Sequence, residues 1–116
     1  MDQHPKVSFM VMTALTVCLS VWMTAGSLYA ADQEVEKVYR NKCLVCHGPD
    51  GSGKTARGKK LKVNDVRSPA VQKMSDAEFL EVIVKGKGED MGGYGKELGT
   101  EMCEKLALYM RGFAKK

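Results

Sequence analysis

The chain has 116 residues, a formal net charge of +4, 28% charged residues and four cysteines. That is room for one small domain, so a multidomain enzyme is excluded, and no internal repeat suggests a solenoid. Its basic stretch has no interleaved aromatic residues to stack bases, which argues against a nucleic-acid binder.

The chain opens with a segment to be set apart from the fold. No charged residue occurs from Val7 to Ala31, and Val7–Ala25 is mostly apolar, preceded by Lys6 and followed by the small residues Ala25-Gly26-Ser27 and Ala30-Ala31. Residues 1–30 therefore read as an export signal cleaved after Ala30, or as an N-terminal membrane anchor that stays attached, since the run is just long enough to cross a bilayer. A lipoprotein signal is disfavoured because Val17, before Cys18, is bulkier than such sites carry. His4 and Cys18 fall in this leader. The domain is then residues 31–116, about 86 residues, small enough to need a staple such as disulfides, a metal or a covalent cofactor.

In chain order, Asp32 is placed to cap a first helix running to about Lys42, with Val35, Val38 and Tyr39 on one face. Cys43-Leu44-Val45-Cys46-His47 follows at its C-terminal end. A Gly- and Lys-rich loop then runs over residues 48–62 without apolar periodicity, anchored only by Leu61 and Val63. Ser68-Pro69 reads as an N-cap and first helical position. Ser75-Asp76-Ala77-Glu78 is a capping box for a helix that buries Phe79, Leu80, Val82 and Ile83 and ends at Lys85-Gly86. Residues 86–99 hold six glycines and read as irregular backbone rather than strand. Thr100 caps a final helix with Met102, Cys103, Leu106, Tyr109, Met110 and Phe113 along one stripe.

Two motifs overlap in one loop. Gly48, Gly53, Lys54 and Thr55 fit the phosphate-loop pattern G-x-x-x-x-G-K-[ST], while Cys43, Cys46 and His47 fit the haem-attachment pattern C-x-x-C-H. A phosphate loop needs a buried strand before it and an apolar helix after it; here the preceding segment has helical periodicity and the following one is basic. A structural zinc site wants four ligands, and beyond the motif the domain offers only Cys103. A thioredoxin-like site needs βαβ context. Haem attachment survives: thiols three positions apart bond adjacent vinyl groups, and the next residue, His47, comes underneath to the iron.

The stretches "VYRNKCLVCHGPDGSGKTARGKKL", "MSDAEFLEVIVKGK" and "MGGYGKELGTEMCEKLALYMRG" together resemble the successive landmarks of the small class I c-type cytochromes, across residues 33–113. The resemblance implies an all-α fold, three to four short helices and long loops enclosing one covalently bound haem c. It implies thioether links at Cys43 and Cys46, His47 as proximal iron ligand, and Met91 as distal ligand. Gly92 stands where the family usually has proline after that methionine. Met74 reads as a residue packing onto its own helix, and Met102 and Met110 as core. Cys103 replaces the usual aliphatic residue of the last helix and is the alternative distal ligand, a thiolate displacing Met91. Val35 takes a position where the family often has glycine.

The expected function is that of an exported, periplasmic one-electron carrier rather than an enzyme, since no second histidine or acid/base pair accompanies the motif. Redox proteins are its expected partners, acidic where they meet Lys54, Arg57, Lys59, Lys60 and Lys62. The alternative is a gas-binding (NO/CO) or low-potential haem subunit of a heteromeric complex, with Cys103 on the iron and a second cytochrome subunit as partner. Membrane contact follows only if the leader stays attached.

Overall fold

The computed structural model describes residues 32–115. The reading of residues 1–30 as signal or anchor lies outside the described residues. Helix α1 is described from residue 32 to residue 42, α2 is Leu44–His47, α3 Ala56–Lys60, α4 Pro69–Gln72, α5 Asp76–Lys85 and α6 Gly95–Arg111, with a closing 3-10 turn Gly112–Lys115. Between α5 and α6, β1 (Gly86–Lys87) and β2 (Met91–Gly92) pair antiparallel, Gly86 with Gly92 and Lys87 with Met91. The all-α expectation holds, with more and shorter helices than three to four.

The predicted start signals at 68 and 75 are present. The Ser68 side chain accepts from Val71 N with Pro69 at the first helical position, and Ser75 and Glu78 form the reciprocal capping box. Three local expectations are corrected. The basic loop contains α3, because the Thr55 side chain accepts from Gly58 N and so caps a single turn that apolar periodicity could not reveal. Residues 86–92 form a hairpin rather than irregular backbone, closed at Gly86 (φ 85°), where a Cβ would lie 2.3 Å from the Met91 carbonyl oxygen. The last helix begins at Gly95 and kinks at Gly99 (φ 77°), so Thr100 opens its second segment rather than the helix itself.

The core joins α1, α5 and α6. Val35 and Tyr39 from α1, Phe79 and Ile83 from α5, and Cys103, Leu106, Ala107 and Met110 from α6 are buried together with Val66 and Phe113. Tyr39, Tyr109 and Phe113 make a ring of edge and tilted contacts with centroids 5.2–5.3 Å apart. Each such pair contributes about 0.5–1.5 kcal/mol beyond its buried area. Val35 is itself 5% exposed, so a valine is accommodated where a glycine was expected.

Arg111 locks the turn before α5 onto α6. Its Nη2 donates to the Met74 carbonyl at 2.6 Å and its Nη1 to the Gln72 carbonyl at 3.5 Å. The guanidinium carbon sits 4.8 Å from the centre of the Phe79 ring, and Nε approaches Asp76 Oδ1 at 2.7 Å as an ion pair rather than an aligned hydrogen bond.

Candidate haem site

The motif residues continue the direction of α1 by one irregular turn. Cys43 N donates to the Tyr39 carbonyl, and His47 N to the Cys43 carbonyl, each at 2.9 Å. Tyr39, 1% exposed, donates its hydroxyl to the Gly48 carbonyl at 2.6 Å, and burial raises its pKa. Thr55 Oγ1 lies 2.8 Å from the Val45 carbonyl and 3.1 Å from that of Cys46, one proton serving two acceptors. These carbonyls belong to the helix end that would otherwise lack partners. The threonine that fitted a phosphate-loop pattern is therefore a double cap, for α2 and for α3.

Against this turn lies a cavity of about 300 Å³. Cys43, Cys46 and His47 stand on one side; Phe79, Val82 and Ile83 come from α5; Met91 comes from the hairpin; Leu61 and Val63 flank Lys62, whose φ of 55° is left-handed. Lys42, Lys62 and Lys87 line it together with Glu89 and Asp90 of the hairpin tip. Tyr94 also lines it, donating its hydroxyl to the Lys42 carbonyl at 3.2 Å, while the Lys42 ammonium pairs with Glu97. The hairpin and the start of α6 are thus tied to the end of α1.

Burial sets the chemistry of the site residues. The His47 pKa is lowered by burial, which favours the neutral imidazole, and its Nδ1 is buried with no hydrogen-bond partner. The Cys43 thiol is pushed up to about 11, first by burial and then by the nearby thiols Cys103 and Cys46. A buried polar nitrogen without a partner costs free energy in the absence of a ligand. A neutral imidazole and two thiols at the edge of an apolar cleft are a donor set that suits a haem held by two thioethers.

The sequence-predicted residues separate here. Cys43, Cys46, His47 and Met91 share the cavity; Cys103 is fully buried in the core and is not among the lining residues. Met74 and Met110 line the cavity too, which sequence reasoning missed in assigning one to its own helix and the other to plain core. For Met110 a signal was present: it lies one turn beyond Leu106 on the inward stripe. Met74 carried none, because its position follows from the Arg111 contact across 37 residues.

An all-α chain with α1 crossing to α6 through an aromatic cluster, and a CxxCH turn on an apolar cleft, defines a small class I c-type cytochrome. A family model described as cytochrome C oxidase, cbb3-type, subunit III matches residues 30–110, and the chain belongs to that family. Among solved structures, the KustC0563 c-type cytochrome is 33% identical, with a TM-score of 0.62 over 67% of this chain and 94% of that one. No curated protein matches the chain. The cofactor of the family is haem c, covalently bound with its iron, and its chemistry is haem-based electron transfer. No helix among the described residues is long and apolar enough to cross a membrane.

Proposed function

We propose that the protein is an exported one-electron carrier, with haem c joined to Cys43 and Cys46 and its iron held between His47 and Met91. The observation that carries this reading is the unpartnered, buried His47 nitrogen in a cavity lined by both motif cysteines and by Met91. When bound, the haem supplies an iron that moves between ferric and ferrous states.

The chain's own residues supply the rest. Phe79, Val82 and Ile83 exclude water from the cleft, so the charge change at the cofactor meets few mobile dipoles. Met91 offers a thioether, a soft neutral donor that favours the ferrous state and raises the potential. The hairpin closes only with glycine at position 86, and this fixes the Met91 backbone where Gly92 leaves no proline to stiffen it. Coordination by Cys103 instead would require α6 to release a fully buried core residue, at the cost of the packing it shares with Leu106 and Met110.

Lys54, Arg57, Lys59, Lys60 and Lys62 are all exposed, and Lys62 reaches the cavity wall. They form a docking face for an acidic redox partner, whose long-range attraction raises the encounter rate. The family description, an oxidase subunit, favours a larger redox complex as the place where that partner is found.

The test is the optical and low-temperature electron paramagnetic resonance spectra of the haem-loaded protein beside Met91→Ala and Cys103→Ala. Loss of the weak red-edge band of the oxidised protein in Met91→Ala alone is the expected result. A low-spin signal that changes in Cys103→Ala and persists in Met91→Ala would overturn the assignment and leave a thiolate-bound, low-potential haem.

A further inference from the structure

We infer that Lys62, with Asn64 beside it, is a positioning residue for the cofactor: it pairs with a carboxylate of the bound haem and raises the reduction potential. This rests on the reading that haem c is joined to Cys43 and Cys46, and it assigns a role to residues outside the CxxCH motif. The backbone raises the question first. Helix α3 ends in a paired stop, Lys62 N donating to the Lys59 carbonyl at 3.3 Å and Val63 N to the Gly58 carbonyl at 2.9 Å. Such a stop takes a left-handed residue at position 62, ordinarily glycine. Here φ is 55° at a lysine, while every other positive-φ position among the described residues, at 48, 51, 53, 86, 88 and 99, is a glycine. A lysine bears strain there that glycine would not, and an outlier of this kind points to a use for its side chain.

The cavity shows what that use is. Leu61, Lys62, Val63 and Asn64 all line it, a consecutive run that neither a strand nor a helix could turn to one side; the left-handed residue makes it possible. Haem c carries two propionate carboxylates on the edge away from the vinyl groups that the cysteines take, so their partner has to be a donor beyond the CxxCH turn. Of the other polar residues lining the cavity, Lys42 adjoins Cys43 and pairs with Glu97, and the Tyr94 hydroxyl is committed to the Lys42 carbonyl. Lys87 shares the hairpin with Glu89 and Asp90, whose charge repels a carboxylate. Lys62 and Asn64 remain. The acids nearest them in sequence are engaged elsewhere, Asp65 with Arg67 Nε and Nη2 and Asp50 with Arg67 Nη1. Lys62 itself makes no ion pair among the described residues.

A lysine in this place brings a point charge on a flexible stem, able to follow a carboxylate without a fixed fork geometry. The same charge disfavours the ferric state, the more positive of the two, and so raises the potential.

The experiment is spectroelectrochemical titration and resonance Raman spectroscopy of the full haem-loaded chain, with Lys62→Gln, Lys62→Gly, Lys62→Arg and Lys59→Gln beside the parent. At the parent's midpoint potential, Lys62→Gln should raise the ferric-to-ferrous ratio about two- to fourfold, and the propionate-bending band should move with it. Lys62→Gly, which relieves the backbone as it removes the charge, should match Lys62→Gln, and Lys62→Arg should keep the parent's ratio. Lys59→Gln removes the same charge from an exposed residue outside the cavity lining, and should leave the band in place and move the ratio much less. Equal shifts in Lys59→Gln and Lys62→Gln, a band that stays put in Lys62→Gln, or a parental ratio in Lys62→Gly would each overturn this inference alone. A parent that binds no haem covalently would overturn the reading beneath it as well.

Discussion

Gly58→Ala should destabilise the protein, although Gly58 lies in a helix, where alanine ordinarily gains about 1 kcal/mol over glycine. An added Cβ would stand 2.3 Å from the carbonyl oxygens of both Cys46 and Gly53. Neither obstacle is the end of a flexible side chain, so relief requires α3 to back away from the CxxCH turn. That retreat also stretches the Thr55 hydroxyl contacts to Val45 and Cys46 and the bond from Val63 N to the Gly58 carbonyl, 2.9 Å in the native protein. Overpacking of this kind costs about 1–3 kcal/mol. Setting the helix gain against that cost and the weakened hydrogen bonds leaves a net loss of roughly 1–2 kcal/mol. For a domain of this size each kcal/mol moves Tm by about 4–8 °C. Thermal unfolding of the haem-loaded protein, followed by circular dichroism, should show that drop, with the exposed Arg57→Ala as a near-neutral control in the same helix. A midpoint equal to or above the parent's would refute the close approach of α3 to the motif.

Arg111→Ala should cost about 2–3 kcal/mol in urea unfolding, because the Gln72 and Met74 carbonyls lose their donor and Phe79 its cation. Lysine, a point charge without the planar fork, should recover less than half of that. Asp65 accepts from Arg67 through its backbone N, Nε and Nη2, and these bonds lower its pKa from 3.8 to about 2. Its contribution is therefore complete above about pH 4 and lost as the pH falls through 2; for a carboxylate one-third exposed it amounts to no more than about 1 kcal/mol. The stability gap between the parent and Asp65→Asn should accordingly close between pH 5 and pH 2, and a gap unchanged over that range would contradict the linkage. Lys59→Gln with Lys60→Gln should slow reduction by an acidic partner at low ionic strength and leave the high-salt rate unchanged, as measured by stopped flow. Equal rates at low salt would remove those lysines from the docking face.

What could be read from the sequence had local causes. The capping box at Ser75, the Ser68-Pro69 start and the Lys85-Gly86 stop each depend on residues within one turn, and they stand as expected. The inward stripe of α6 was legible because Cys103, Leu106 and Met110 repeat with helical period. The segments that misled were those whose conformation is decided across the chain. Helix α3 exists because Thr55 bonds both to its own helix and to carbonyls nine and ten residues earlier, a double role no propensity encodes. The hairpin holding Met91 is rich in glycines that read as irregular backbone, yet Gly86 is required by the approach of the Met91 carbonyl. Met74 reaches the cavity wall through a contact with a residue 37 positions away.

The same long-range contacts explain how so small a domain can hold a rigid site. One side of the cleft is fixed by hydrogen bonds from Tyr39 and Thr55 to carbonyls at the end of the CxxCH turn. The facing side is tied by backbone, Tyr94 N donating to the Ile83 carbonyl at 2.9 Å, and by side chain, Tyr94 to the Lys42 carbonyl and Lys42 to Glu97. A cleft braced on both sides pays the ordering cost of its ligands during folding rather than at each electron transfer. What it leaves unsatisfied is the His47 nitrogen, the one group among these whose partner the protein itself does not provide. Rigid bracing matters to any site whose charge changes by one electron, since a donor that relaxed on each change would slow the exchange.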